Sequence, residues 1–408
     1  MTHRRGIAAL GNSEDIGTWS GTPHYLLCAG LSAGFLNCGL DLQFENLARL
    51  RSIWQLKCVL RAERPRGFQY GATFIDLLGK RAVDECNRKG LQEIVSHYQV
   101  LPARYLIGNS INTSFYIDST LQDLFGTHEM LLWLNGKIAN EAIDREIDGY
   151  RVAERIITMS SWVRATLERS YGIARDRIFT VLPGANLPEK EVKLKLGNVD
   201  SSVVPHQFTR DRKLRIGFTG KDWRRKGLPR LLTAVGILNR MDIPTEVVVI
   251  GDIPQQYRGC PDVRSVGFID KSRELARFIG TIASCDLGCA PSHEEPLGIA
   301  PIEYLRVGVP VVCTAAGGLI DVCQAAGTAS ILLEKNATPE QIAVAFEGLA
   351  KNPDRLRQMR AVAWERKEYF GWDRAVVDLL RIWKREFRTP SKPSPLKAQT
   401  NTVICHDA

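Results

Sequence analysis

Two glutamates and two lysines are the residues of this sequence whose types and spacing could do chemistry. Glu295 and Glu303 stand eight positions apart in residues 291–303 (PSHEEPLGIAPIE), and Lys221 and Lys226 frame a basic run about 70 residues upstream. A carboxylate accepts hydrogen bonds from two vicinal hydroxyls. An ammonium group neutralises charge that grows on a departing phosphate. Together they would suit a ligand that carries both a diol and a phosphate. Each also has a plainer reading: Glu295 as a solvated loop carboxylate, Glu303 as an exposed helix residue, and the lysines as a solvated basic turn, since ions without partners usually stay at the surface.

The elements that must position these groups follow from local pattern. Residues 284–290 (SCDLGCA) are short, small and mostly apolar, which suits a buried strand, and the loop after them ends at Gly298, where backbone can approach a ligand. A helix is predicted from near Ile299, with Pro301 in its first turn and a stop at Gly308 and Pro310. Residues 309–314 (VPVVCT) form the next strand. This order places Glu295 in a loop at the carboxyl end of a parallel sheet and Glu303 about one turn into a helix whose N-terminus favours phosphate. Residues 214–219 (LRIGFT) are a second such strand. They open into Gly220-Lys221-Asp222-Trp223-Arg224-Arg225-Lys226-Gly227 before an amphipathic helix from about Leu228 to Asn239.

The frame Pro291, Ser292, Glu295, Pro296, Gly298, Pro301 and Glu303 resembles the donor-site signature of retaining GT-B glycosyltransferases of family 4, also called glycosyltransferase group 1, with Leu297 where Phe is more usual. The loop from Gly220 to Gly227 is similar to that family's G-R-x-x-x-x-K-G loop, with Lys221 in the place of Arg. An ammonium lacks the planar two-pronged donor of a guanidinium. The resemblance implies that Glu295 contacts the transferred sugar, that Lys221 and Lys226 face the diphosphate, and that Glu303 binds the ribose hydroxyls. It further implies that Gly220, Gly251, Phe268, Ile269, Pro296, Leu297, Gly298 and Ile299 line the donor, the last two through backbone N–H groups. Phe268 also reads as a plain core residue. Residues 316–321 (AGGLID) resemble the family's G-G-x-x-E turn with Asp321 for Glu, where a helix cap is the simpler role.

The fold implied is α/β: a GT-B fold of two Rossmann-like domains facing across a cleft, with a C-terminal helix returning toward the N-terminal domain. The expected domains are residues 1–195 on the acceptor side, a linker at 196–212 in a charged stretch of little apolar periodicity, residues 213–370 on the nucleotide-sugar side, a crossover helix at 371–388 and a disordered tail at 389–408. The activity implied is retaining transfer of a sugar from a nucleotide-diphosphate sugar to a glycan, lipid or small-molecule hydroxyl, in polysaccharide, glycolipid or other glycoconjugate synthesis. No cofactor is expected beyond that co-substrate. No metal is expected either, because no D-x-D motif has a matching context and two lysines supply countercharge.

The first half carries fainter signals. Residues 6–10 suit a first strand, and the loop that follows holds Gly17, Trp19, Ser20 and Gly21, whose glycines permit close backbone approach to an acceptor or donor. A plain strand-to-helix turn is the alternative. Residues 105–108 and 114–117 are further strand candidates; Asp118 ends the second and either lines the cleft or caps a helix. His24, His97 and His128 read as surface or satisfied core residues. Residues 177–186 (RIFTVLPGAN) are similar to the family's ending of the first domain, where Asn186 caps or contacts the second. Residues 369–388 read as an amphipathic helix.

Composition narrows the class without finding the site. With 408 residues the chain exceeds one ordinary core, and 44% hydrophobic with 24% charged residues is a globular balance. No apolar run reaches the roughly 18 to 20 residues that span a bilayer, and the first residues are interrupted too soon for a signal peptide. Ten cysteines lie scattered without a C-x-x-C pair, which favours reduced buried thiols. The expected location is cytoplasmic. The net charge of +9, without an aromatic and basic strand motif, points to anionic nucleotide or peripheral contact at the inner membrane face rather than to nucleic acid. Rival readings are a non-catalytic sugar-nucleotide-binding protein and a GT-B sugar-nucleotide epimerase or phosphorylase.

Overall fold

The computed structural model describes residues 4–61, 64–127, 134, 136–197 and 207–384. Two parallel sheets of six strands organise the chain. The first contains β1 (Arg5–Ala8), β2 (Cys38–Gly39), β3 (Glu93–Ser96), β4 (Asn112–Ile117), β5 (Ile156–Thr158) and β6 (Ile178–Thr180). The second contains β7 (Leu214–Thr219), β8 (Thr245–Ile250), β9 (Val263–Gly267), β10 (Leu287–Ala290), β11 (Val311–Thr314) and β12 (Ser330–Leu333). Helices cover the central strands on both faces, so those strands are apolar almost throughout: Val247, Val248 and Val249 are at most 1% exposed.

The strand orders locate the sites. The first sheet runs β2-β1-β3-β4-β5-β6 and the second β12-β11-β10-β7-β8-β9. The order in which strands are added therefore reverses between β1 and β3, and again between β7 and β10. Open parallel sheets bind ligands at such switch points, beyond the carboxyl ends of the strands. The loops there are the 11–21 loop and the His97 loop in the first half, and the 220–227 and 291–298 loops in the second.

The final helix, Trp372–Trp383, packs against the first half, as the crossover expectation requires. Its Trp383 indole donates to Glu93 Oε1 at 2.7 Å, stands edge-on to Phe35 with centroids 5.0 Å apart, and receives the Arg5 and Arg155 guanidiniums on its ring at 5.0 and 4.9 Å. At the other end Trp372 Nε1 donates to Asn186 Oδ1 at 3.3 Å, so Asn186 ties the final helix to the first half. Gly184 lies so close that a Cβ on it would stand 2.3 Å from the Trp372 nitrogen. Gly184→Ala is expected to destabilise the protein by about 1–3 kcal/mol, as forced overpacking does; an unchanged denaturation midpoint would show that the junction gives way freely.

Two expectations need correction. Residues 105–108 belong to a helix, Ala103–Gly108, rather than a strand: Ala103 and Leu106 are buried while Tyr105 and Ile107 are exposed, a helical rather than alternating pattern. The helix Glu189–Leu196 buries Val192 and Leu196 at the end of the first half; residues 198–206 of the expected linker lie outside the described residues. The last helix starts at Trp372, because Lys367–Phe370 closes into a separate 3₁₀ turn. His128 and the expected tail also lie outside the described residues. The described cysteines are free thiols, most of them buried, and among the described residues no helix is long and apolar enough to cross a membrane.

Candidate functional site

The loops at the second switch point are held together through glycines. Gly251 has φ +139°, and a Cβ there would stand 2.2 Å from the Gly220 carbonyl oxygen. A Cβ on Gly220 would meet Lys226 Cδ at 2.2 Å, so the Lys226 side chain folds back across Gly220. Gly227, at φ +77°, leaves only 2.0 Å between an imagined Cβ and the Pro291 carbonyl oxygen. The 220–227 loop therefore presses on the start of the 291–298 loop, which places lysine against glutamate.

Lys226 Nζ lies 2.8 Å from Glu295 Oε2, Ser292 Oγ donates to the same oxygen at 3.3 Å, and Arg225 Nη1 stands 3.5 Å from it. Arg225 is fixed in turn by donating to the Glu294 carbonyl at 2.6 Å. Glu295 is 9% exposed. Burial pushes its carboxyl up, but the Lys226 and Arg225 cations outweigh burial and hold it below the usual carboxylate range. It is an ionised, buried group and not a solvated loop acid.

Glu303 is buried as well, on the helix Ile299–Arg306, and pairs with Lys271 at the start of the helix Lys271–Ala283. Burial raises its carboxyl while the Lys271 ammonium opposes the rise. Gly298 starts the Glu303 helix at φ +93°, where a Cβ would strike Leu319 Cδ2 at 2.4 Å. Pro296 and Leu297 pass against Gly318, and Ile299 is the first residue of the helix.

Lys221 stands on the other side of the loop from Lys226. It is exposed, with its Nζ 5.1 Å from the centre of the Phe268 ring, and it stays apart from the Lys226–Glu295 pair. Phe268 is 50% exposed, so the core reading of that ring fails; its neighbour Ile269 is buried. The two lysines thus divide, one at the carboxylate and one on an exposed aromatic face next to β9.

The first half supplies the opposing wall. Asp118, at the end of β4, accepts from Ser119 Oγ at 3.2 Å; burial raises its carboxyl, the serine opposes, and the charge of Glu295 across the cleft adds to the rise. Trp19 and Ser20 hold left-handed φ of +47° and +58°, a costly conformation outside glycine, and the Asn186 side chain anchors the Ser20 carbonyl at 3.0 Å. Gly21, at φ +89°, leaves 2.9 Å between an imagined Cβ and the Tyr25 ring. Gly17 has ordinary right-handed geometry, so its lack of a side chain is not what the backbone requires. Asp321 does act as a cap, but of a helix in the other half: it accepts from Ser161 N and Oγ at 3.0 Å each, at the start of Ser161–Arg169.

Lys271, Arg225 and Tyr25 carry no role in the sequence reading. Tyr25 is 4% exposed and its hydroxyl has no hydrogen-bond partner. Burial, then the nearby Glu303 charge, holds the phenol well above its usual range. It lines a groove of about 620 Å³ between the halves with Glu14, His24, Lys271 and Ser272. Tyr25→Phe is expected to leave the ligand-free protein as stable or more stable by about 1 kcal/mol, since a buried unpaired hydroxyl is a cost; a lower thermal midpoint would reveal a partner for it. His24 is satisfied by the Glu14 carbonyl at 2.7 Å. His97 contacts the Tyr116 carbonyl at 2.5 Å through Nδ1 and leaves Nε2 without a partner, and burial pushes its pKa down to about 4, so it is neutral near pH 7.

Residues 205–366 match the family described as glycosyl transferases group 1. Among curated proteins, D-inositol 3-phosphate glycosyltransferase 1 of Catenulispora acidiphila is 27% identical over 255 residues, covering 57% of this chain and 57% of that protein. The D-inositol 3-phosphate glycosyltransferase of Paenarthrobacter aurescens is 25% identical over 335 residues, covering 74% and 76%. The chain thus spans little more than half the length of the first of these relatives. Among solved structures, sucrose-phosphate synthase from Thermosynechococcus elongatus superposes with a TM-score of 0.67 at 16% identity, over 94% of this chain and 98% of that one. Anabaena Alr3699/HepE in complex with UDP and glucose gives 0.59 at 13%, over 94% and 99%. These likenesses agree with the two facing Rossmann-like halves, and the fold is GT-B.

Proposed function

We propose that this chain is a glycosyltransferase that moves a sugar from a nucleotide-diphosphate sugar to an acceptor hydroxyl with retention of anomeric configuration. The observation that carries the reading is the buried Lys226–Glu295–Arg225 cluster at the second switch point, faced across the cleft by Asp118. The group 1 match over residues 205–366, the transferase names of the relatives and the UDP bound in HepE support it.

In this reading the part from 213 to 370 holds the donor and the part from 1 to 195 the acceptor. The diphosphate lies by Lys226 and the N-terminal end of the Glu303 helix, whose positive end suits an anion. Lys226 offsets charge on the leaving phosphate as the glycosidic bond breaks, without a metal ion. Glu295, kept ionised by its two cations, accepts from sugar hydroxyls and fixes the ring for attack on the face the diphosphate leaves; the phosphate oxygen helps take the acceptor proton. Glu303 accepts from the ribose hydroxyls through the oxygen that Lys271 leaves open. Lys221 and Phe268 border the nucleobase side. The product is a polysaccharide, glycolipid or other glycoconjugate, made in the cytoplasm with contact at the inner membrane face.

The test is a screen of labelled nucleotide sugars, UDP-glucose among them, against cell-extract acceptors, followed by the anomeric configuration of the product. Transfer with retention supports the reading. Donor binding without turnover on any acceptor would replace it with a binding protein, and a rearranged free sugar nucleotide would replace it with an epimerase.

A further inference from the structure

The helix Leu47–Leu60 carries two apolar stripes, and the fold covers one of them. Leu47, Leu50 and Trp54 pack on the core of the first half, with Trp54 edge-on to Phe68 at 5.6 Å, and Cys58 is buried. At helical spacing Ile53, Leu56 and Leu60 line up on the other side with Val59 beside them, and these four are 45%, 61%, 78% and 61% exposed. The same helix contains no acidic residue; Arg49 continues the exposed stripe one turn toward the N-terminus and Lys57 borders it. Arg51 and Arg61 extend the positive rim, and all four cations are exposed. Among the described residues no carboxylate forms an ion pair with Arg49, Arg51, Lys57 or Arg61.

We propose that this helix is a docking face for an anionic lipid surface. An apolar stripe with a cationic rim lies in the plane of a membrane interface, the side chains in the headgroup and acyl boundary and the cations among lipid phosphates. A second copy fits less well: a two-fold contact presents the same patch to itself, so Arg49 and Lys57 would face like charges. A protein partner's apolar core would be poor in charge at its centre, whereas here cations sit within one turn of every apolar residue.

The placement gives the contact a purpose. The chain leaves β2 at its carboxyl end, enters Leu47–Leu60, and returns through Phe68–Tyr70 into the helix Ala72–Lys89, which leads back to the start of β3. That helix therefore begins at the carboxyl edge of the first sheet, the edge that carries the 11–21 loop. Trp54 lies against Gly71 at this point, its Nε1 3.7 Å from where a Cβ would stand. Docking brings the rim of the cleft to the lipid surface.

The test is co-sedimentation of the full chain with vesicles of phosphatidylcholine alone and of phosphatidylcholine with phosphatidylglycerol. Binding is expected only to the second, and to weaken as salt is raised. Leu56→Asp/Leu60→Asp and, separately, Arg49→Glu/Lys57→Glu should each lower the bound fraction by about tenfold or more. These side chains are exposed, so circular dichroism and thermal midpoint should stay at wild-type values. Failure of the wild type to bind anionic vesicles, or wild-type binding by both variants, overturns the proposal. So does a wild-type dimer that Leu56→Asp/Leu60→Asp converts to monomer. None of these readouts depends on sugar transfer, so they stand or fall apart from the proposed reaction.

Discussion

Glu295→Gln is expected to lower sugar transfer by about 10²- to 10³-fold, the scale lost when one aimed electrostatic group is removed from a water-poor site, while UDP binding holds or tightens. The amide keeps the shape of the carboxylate but loses its charge, so the sugar loses its strongest acceptor. Lys226, released from its 2.8 Å partner, then has its whole charge to offer a diphosphate. Calorimetric titration with UDP alongside turnover of the nucleotide sugar separates the two effects. Near-normal transfer by the variant would remove Glu295 from the mechanism, and loss of both binding and folding would make its role structural.

Lys226→Ala is expected to weaken UDP binding by about tenfold and to cut turnover by about 10²-fold, with a displaced pH profile as its signature. In the wild type, burial raises the Glu295 carboxyl and the two cations bring it below its usual value. A depressed folded pKa means that the stabilisation from Glu295 is fully present above its unfolded pKa and is lost as pH falls through the folded one. Without Lys226, burial is opposed only by Arg225 at 3.5 Å and by the hydrogen bond from Ser292. Protonation then occurs at higher pH, so the acid limb of activity and of stability should both move upward. An acid limb that stays in place would mean that Arg225 and Ser292 set the charge of Glu295 without Lys226.

The contrast with Glu303 follows from the same physics. Its carboxyl is raised because burial outweighs the Lys271 ion pair and the smaller effect of the Lys226 charge. The two glutamates, alike on paper, differ in how far the cations around each offset its burial.

Much of the site was legible because its grammar is local. Gly220, Gly227, Gly251 and Gly298 stand where backbone comes within van der Waals distance of backbone or of a folded-back side chain, and the last three hold positive φ, so their identity announces the turns. The strand, loop and helix around Glu295 follow from short apolar runs and from Pro301 in the first helical turn. Residues 105–108 misled because four residues cannot separate a period of two from one of 3.6. The contact of Lys221 with the Phe268 ring was not legible, because the spacing of a loop says nothing of which way its side chains turn.

From the sequence alone, then, came the strands and loops around Glu295, Lys226 and Glu303 in the second half, which rest on interactions between residues near in the chain, while the two doubly wound halves came through the resemblance those motifs carry. Tertiary structure decided the rest. It paired Lys226 and Arg225 with Glu295, gave Glu303 its Lys271, set Asp118 and the unpartnered Tyr25 hydroxyl on the facing wall, and turned Asp321 into a cap for the other half. These partners are separated by tens to hundreds of residues, so no local pattern encodes them. Charge state and reach in a buried site depend on what lies within a few ångströms, and only the packed chain determines that.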